Sequence, residues 1–264
     1  YIAKLRSVLA RVLQHGNIRE DIRRLHPLLA EGEGRRPLYD VVTADRGLAG
    51  GYNANVVRLA NATMEEDSRE KLIMCIGRKG RDHYVRRGVE LYAGGLDSDY
   101  VYIGDELTID EARSVTRLLT DAFTQGVADE VIFVHTVFRG TASHELTVTR
   151  LLPIETEDLV VEGDQAEASE GEGVEEKTPI YEPSAAQVVS TLIPRYIETQ
   201  VYSILLEAKA SEQSARMIAM RNATDNAEEM IEQLTLSFNR ARQDSITTEL
   251  SEIVGGANAL AGGE

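Results

Sequence analysis

From Arg195 to Val254 the chain runs for 60 residues without one glycine or proline. As a single α-helix at 1.5 Å per residue, that stretch is about 90 Å long. A compact globule built from all 264 residues has a radius of gyration near 18 Å, hence a diameter of about 45–50 Å. The sequence therefore predicts a helix that outruns its own domain and needs a partner along its length. The apolar stripe says which kind. Ala227, Ile231, Leu234, Phe238 and Ala241 follow 4-3-4-3 steps, a narrow coiled-coil seam, and Ile246, Leu250 and Ile253 continue it after a phase shift. Ala208, Ala215, Ala219 and Ala223 replace large side chains upstream, which lets another helix approach closely.

The N-terminal run offers that helix. Ile2, Leu5, Val8, Leu9, Val12 and Leu13 recur at three- and four-residue steps, and no capping residue precedes them. The expectation is the continuation of a longer helix, laid antiparallel on the C-terminal one. Asn17 with Glu20 then supplies a cap for a short second helix.

Residues 37–154 change pattern. Leu38–Thr43, Lys71–Ile76 and Val89–Ala93 read as strands, alternating with helices over Asn53–Ala62 and Gly77–Arg87. Thr108 and Glu111 make a capping box for a helix reaching Thr124, and Glu130–Phe138 with Glu145–Ile154 read as a hairpin across Gly140–Ser143. Alternating strands and helices followed by a hairpin predict an α/β domain with a mixed sheet. The expected organisation is an N-terminal coiled-coil segment (1–36), the α/β domain (37–154), a flexible loop (155–180) and the long C-terminal helix (181–264). Ser184 and Gln187 cap a helix that meets Pro194.

Charge narrows the functional classes. The net charge is −16, and residues 155–176 alone hold ten acidic side chains and no basic one. Such a stretch has nothing to bury and reads as a solvated loop. The acidic balance argues against nucleic acid as a partner. No apolar run spans a bilayer, so no direct membrane insertion is expected. The one cysteine, Cys75, reads as a small buried apolar residue in a strand.

The search for a catalytic centre yields little. Asp45-Arg46-Gly47-Leu48-Ala49-Gly50-Gly51-Tyr52-Asn53 sits where a strand turns into a helix, a place that often cradles phosphate. It has neither dinucleotide-fingerprint spacing nor the Lys-Ser/Thr of a P-loop, so a tight βα turn is the better reading. Gly77-Arg78-Lys79-Gly80-Arg81-Asp82 reads as a solvated helix start, with an anion site or a contact to an acidic partner as alternatives. The five histidines show no metal-ligand spacing, and the adjacent Ser143 and His144 make no triad. No catalytic, cofactor or metal residue is assigned.

The run from Glu207 to Ala227, containing Glu212-Gln213-Ser214-Ala215-Arg216-Met217 and Ala223-Thr224-Asp225-Asn226-Ala227, resembles the gamma subunit of the F-type ATP synthase. So do Phe238-Asn239-Arg240-Ala241-Arg242-Gln243, Glu249-Leu250-Ser251-Glu252-Ile253-Val254-Gly255-Gly256, the Asp45–Asn55 turn, the Gly77–Asp82 run and Leu151-Leu152-Pro153. The resemblance covers nearly the whole chain. It departs at Ala49, where a cysteine is common, in a longer acidic 155–176 insertion, and in lacking the paired-cysteine segment of chloroplast members.

What the resemblance implies is a rotor shaft with no active site of its own. Its paired helices would turn inside a ring of three alpha and three beta subunits, one copy per complex. The α/β domain would sit with the epsilon subunit on the membrane c-ring. ATP, ADP and magnesium would be bound by the alpha and beta subunits, with no cofactor on this chain. By the same resemblance Arg216 faces an acidic loop on beta, and Arg242, Gln243, Thr247 and Glu249 make polar contacts to the ring. Tyr181 and Glu182 fall in the segment near epsilon and the c-ring. The implied location is peripheral, on the cytoplasmic face of a bacterial plasma membrane. Two other classes stay open on the residues alone: a small nucleotide-binding enzyme using the Gly47–Gly51 turn, and a static coiled-coil scaffold.

Overall fold

The computed structural model describes residues 2–15, 26–29, 34, 36–154 and 184–261. The Asn17–Glu20 cap, the acidic stretch 155–176, and Tyr181 with Glu182 lie outside the described residues. The elements, in chain order, are α1 (Ile2–His15), a 3₁₀ turn (Pro27–Leu29), β1 (Pro37–Val42), α2 (Tyr52–Glu66), β2 (Leu72–Ile76), α3 (Arg78–Val85), α4 (Ile109–Thr124), β3 (Glu130–Gly140), β4 (Ser143–Leu152) and α5 (Ala185–Ala261).

The sheet is mixed, in the order β2-β1-β3-β4. β1 pairs in parallel with β2 and with β3, and β3 returns antiparallel into β4. Alternation of side chains across the pleat splits the core in two. Leu38, Val42, Met74, Ile76, Val131 and Phe133 face one way, packing with α1, α4 and the first turns of α5. Tyr39, Val41, Ile73, Cys75, Ile132 and Val134 face the other, against Val56, Ala60 and Met64 of α2 and Tyr84 of α3. Cys75 is fully buried there as expected. The capping box of α4 forms as the sequence predicts: the Glu111 N–H donates to Thr108 Oγ1, and Glu111 Oε2 accepts from the Thr108 N–H.

Two expected elements need correction. Residues 89–93 form no strand. Tyr92 donates one bond to Ile73, and Val89 and Leu91 pack against the α2-side core, which explains their alternation. The chain then turns through Gly94 and Gly95, both at positive φ, and returns to the β2 edge at Val101, in an isolated parallel bridge to Ile76. Pro194 does not end a helix either; it lies inside α5. Its ring is exposed, whereas Val189, Ile193, Ile197 and Val201 are at most 1% exposed. Burying each such side chain is worth about 1.5–3 kcal/mol, which together outweighs the roughly 3 kcal/mol that an interior proline costs. α5 runs on through Gly255 and Gly256 to Ala261.

The chain divides into two compact units, Tyr1–Arg216 and Met217–Glu264. The division falls inside α5, whereas the sequence places a boundary near 180. The reason is that α1 and the α5 residues Val189 to Ala208 belong to the same core as the α/β sheet. The second unit is the remainder of α5. From Met220 through Asn258 every residue is exposed, including Ile231 (63%), Leu234 (63%) and Phe238 (66%) of the expected seam.

Candidate functional site

In open sheets with parallel strands, ligands bind beyond the carboxyl ends of those strands. Here that place lies past Val42 and Ile76, under the Gly-rich turn, and the chain fills it itself. Ala44 N–H donates to Asn53 Oδ1 (2.8 Å), which folds the turn back on the start of α2. Ala44, Ala49 and Tyr52 then pack as a small cluster against Ala215 of α5, and Tyr52 Oη donates to the Ala208 carbonyl at 3.1 Å. The small residues expected to admit a second helix thus admit this turn: Ala208 is 2% exposed and Ala215 half-buried, while Ala223 is exposed. The remaining space, lined by Thr43, Asp45, Tyr52, Gly77, Lys209 and Glu212 among others, is about 20 Å³. That holds a water, not a nucleotide.

The start of α3 is equally occupied. Its first three N–H groups donate to Asp45 Oδ1 (Arg78), the Ala44 carbonyl (Lys79) and Thr43 Oγ1 (Gly80). A phosphate has no free donors to meet there. Gly77 must be glycine: φ is +93°, and a Cβ would come 2.1 Å from the Thr43 carbonyl oxygen. Both glycine-bearing motifs are therefore joints between elements: the first is the tight βα turn the sequence predicts, whereas the second, read as a solvated helix start, has its first N–H groups bonded within the chain.

Glu212, 5% exposed, is the hub of the charges at this joint. It accepts from Arg216 Nη2 at 2.8 Å and lies 3.5 Å from Lys209 Nζ. Burial raises the Asp45 carboxyl above its ordinary range, against the Arg78 N–H and the Lys209 charge, which lower it. Burial and the Glu212 charge likewise raise the Tyr52 phenol. Arg216 also reaches the Gly47 carbonyl, with Nε and Nη2 each at 3.4 Å. Its side chain is 21% exposed, so most of this guanidinium is engaged within the chain.

Two features escape the sequence. Leu48, at the tip of the turn, is 73% exposed and held at φ +64°. A groove between α2 and α3, about 570 Å³, is lined by Arg58, Lys79, Arg86 and Arg87, and none of the four joins an ion pair among the described residues. Its one lining carboxylate, Asp82, is taken by Arg81. Burial and the Arg87 charge lower the His83 pKa. The cations come from α2, α3 and the two residues that follow α3, and only Lys79 lies in a motif the sequence singles out for anion binding.

Arg242, Gln243, Thr247 and Glu249 are all exposed on α5. At about 100° per residue, Arg242 and Glu249 lie on one flank of Ile246, Leu250 and Ile253, and Gln243 and Thr247 on the other. Arg216 belongs to the other unit. Among the described residues no group of three or more acidic, His or Cys side chains could hold a metal, and no helix is long and apolar enough to cross a membrane.

An α/β domain whose ligand crevice is closed by its own long helix, with an apolar stripe left exposed further along, defines a helix-bearing subunit of a larger assembly. The comparisons agree. Residues 1–260 match the family model described as ATP synthase. The ATP synthase gamma chain of Desulfitobacterium hafniense is 42% identical over 260 residues, covering 98% of this chain and 84% of that one. That of Symbiobacterium thermophilum is 43% identical, with 99% and 84% covered. A chain from the Euglena gracilis mitochondrial ATP synthase (OSCP/F1/c-ring) superposes with TM-score 0.60 at 20% identity, covering 99% of this chain and 89% of its own. The chain belongs to the ATP synthase gamma chain family.

Proposed function

We propose that the chain is the central-stalk rotor of an F-type, proton-translocating ATP synthase. It would transmit rotation between a membrane c-ring and a ring of three alpha and three beta subunits, one copy per complex. The observation that carries this reading is the family likeness over almost the whole chain, joined to an α5 whose apolar seam is exposed and flanked by polar side chains. An asymmetric shaft touches three equivalent partners differently, so each orientation favours a different nucleotide affinity in each. Arg242, Gln243, Thr247 and Glu249 would grip ring subunits around the apolar bearing formed by Ile246, Leu250 and Ile253. The exposed part of Arg216 would meet an acidic loop on beta, and the cations of the α2–α3 groove, which join no ion pair among the described residues, suit an acidic surface of the same kind. Tyr181 and Glu182 would lie toward epsilon and the c-ring.

The chain itself would be non-catalytic and carry no cofactor, with ATP, ADP and magnesium on the alpha and beta subunits. The filled crevice supports this against the nucleotide-enzyme alternative. Its place would be peripheral, at the cytoplasmic face of a bacterial membrane, as its bacterial relatives suggest. The test is ATP-driven proton pumping by the reconstituted complex carrying R242A/Q243A, beside nucleotide titration of the isolated chain. Weakened coupling with no nucleotide binding is expected. Pumping and synthesis equal to wild type refute the grip, and micromolar nucleotide affinity refutes the non-catalytic reading.

A further inference from the structure

A shaft can drive or be driven only if its domain resists rotation of the helix about the helix axis. Apolar contacts between small side chains slide; directional bonds on more than one side do not. The described residues place such bonds on α5 within two turns. Tyr52 Oη binds the Ala208 carbonyl, Ala215 sits in the Ala44–Ala49–Tyr52 cluster, and Arg216 reaches the Gly47 carbonyl, all from the Gly-rich turn. On the opposite flank, Ser214 Oγ donates to the Thr141 carbonyl at the tip of the β3–β4 hairpin. At 100° per residue, the arc from Ser214 through Ala215 and Ala208 to Arg216 covers about 200° of the helix circumference. Contacts spread over more than half the circumference oppose turning in either sense.

We propose that residues 208–216 form a torque collar. In it, the Gly-rich turn and the β3–β4 hairpin grip α5 at the last point before the helix leaves the domain's core. The proposal rests on the rotor reading and names the joint through which that rotor carries load. Glu212 is its positioning residue. Nearly buried, it holds the Arg216 guanidinium from one helical turn away at 2.8 Å, so that Nε and Nη2 both face the Gly47 carbonyl. Ser214 is the opposing arm. Compact unit one ends at Arg216, the collar's last residue.

The test uses the assembled complex in vesicles and reads protons pumped per ATP hydrolysed for wild type, E212A, S214A and the double variant. Alanine favours helix at both positions, so loss of coupling cannot come from helix melting. Each single variant is expected to lower the ratio modestly, because the other flank still holds, and the double variant several-fold. The deciding arm adds L48C and Q213C, both exposed and flanking the Arg216 bonds to Gly47 and Gln213, to the double variant and joins them with a short bis-maleimide, Cys75 being fully buried. A mechanical collar predicts that the cross-link restores the ratio; a lost ring contact or a general folding defect is not repaired by it. An unchanged ratio in the double variant, or a lowered ratio the cross-link does not restore, overturns the collar. Where the double variant does not assemble, E212Q with S214A decides on the same two outcomes. A wild-type complex that does not pump refutes the rotor reading itself, a result distinct from either.

Discussion

His135 offers the most quantitative perturbation. It lies in β3, 3% exposed, with Nε2 2.9 Å from Thr149 Oγ1 across the hairpin and Nδ1 without a hydrogen-bond partner among the described residues. Burial lowers its pKa from 6.5 to about 4. A group that resists protonation in the folded state but not in the unfolded one makes folding weaken as acid is added. The contribution is fully present above pH 6.5, shrinks by up to about 1.4 kcal/mol per pH unit below it, and is gone at pH 4. The interval of 2.5 between the two values corresponds to about 3 kcal/mol in all. His135→Gln keeps an amide nitrogen near the position of Nε2, and so the bond to Thr149, while removing the titration. Urea unfolding of both proteins at half-unit steps from pH 7.5 to 4 should show two nearly parallel curves above 6.5. Below it they should diverge, the variant losing about 3 kcal/mol less by pH 4. Asp40 titrates alike in both and cancels in the difference. Curves that stay parallel through pH 4 refute the assignment of a neutral, buried imidazole.

Asp40 itself, fully buried with neither carboxyl oxygen partnered among the described residues, has its pKa raised well above 3.8 by desolvation. Its folded pKa being the higher, stability falls as pH rises past the unfolded value, so Asp40→Val should stabilise the chain at pH 7 by about 1–3 kcal/mol in the same urea assay. Gly77→Ala should cost 3 kcal/mol or more by thermal unfolding, since its Cβ meets the Thr43 carbonyl and φ is +93°. Phe238→Asp should leave the isolated chain within about 0.5 kcal/mol of wild type, because the side chain is already 66% exposed. Loss of assembly with ring subunits, followed by gel filtration, should reveal the cost instead.

The elements that the sequence predicts well are those fixed by local chemistry. The Thr108–Glu111 box, the β3–β4 hairpin and the start of α5 at Ser184 each depend on residues within a few positions of one another, and each forms. Val89–Ala93 fails because alternation records only that Val89 and Leu91 face a core. It does not record that the Gly94–Gly95 turn hands the sheet edge to Val101. Pro194 fails for the opposite reason. A local breaker is overruled by a buried stripe that only the tertiary fold supplies.

The functional surface divides along the same line. Arg242, Gln243, Thr247 and Glu249 are legible because an exposed helix displays its periodicity directly. Arg216 belongs to the same run of sequence, yet the fold gives it a second allegiance, to Glu212 and Gly47. Gly47 is 169 residues away, and no pattern along the helix points to it. The Gly-rich turn looks like a phosphate cradle because both uses need the same property, backbone able to approach a partner closely. Here the partner is Ala215 on the chain's own helix. A crevice that in other α/β proteins would receive a ligand has become the socket for a helix. The domain's glycines, its buried Glu212 and its small alanines thus serve one purpose, fastening α5 where its exposed seam begins.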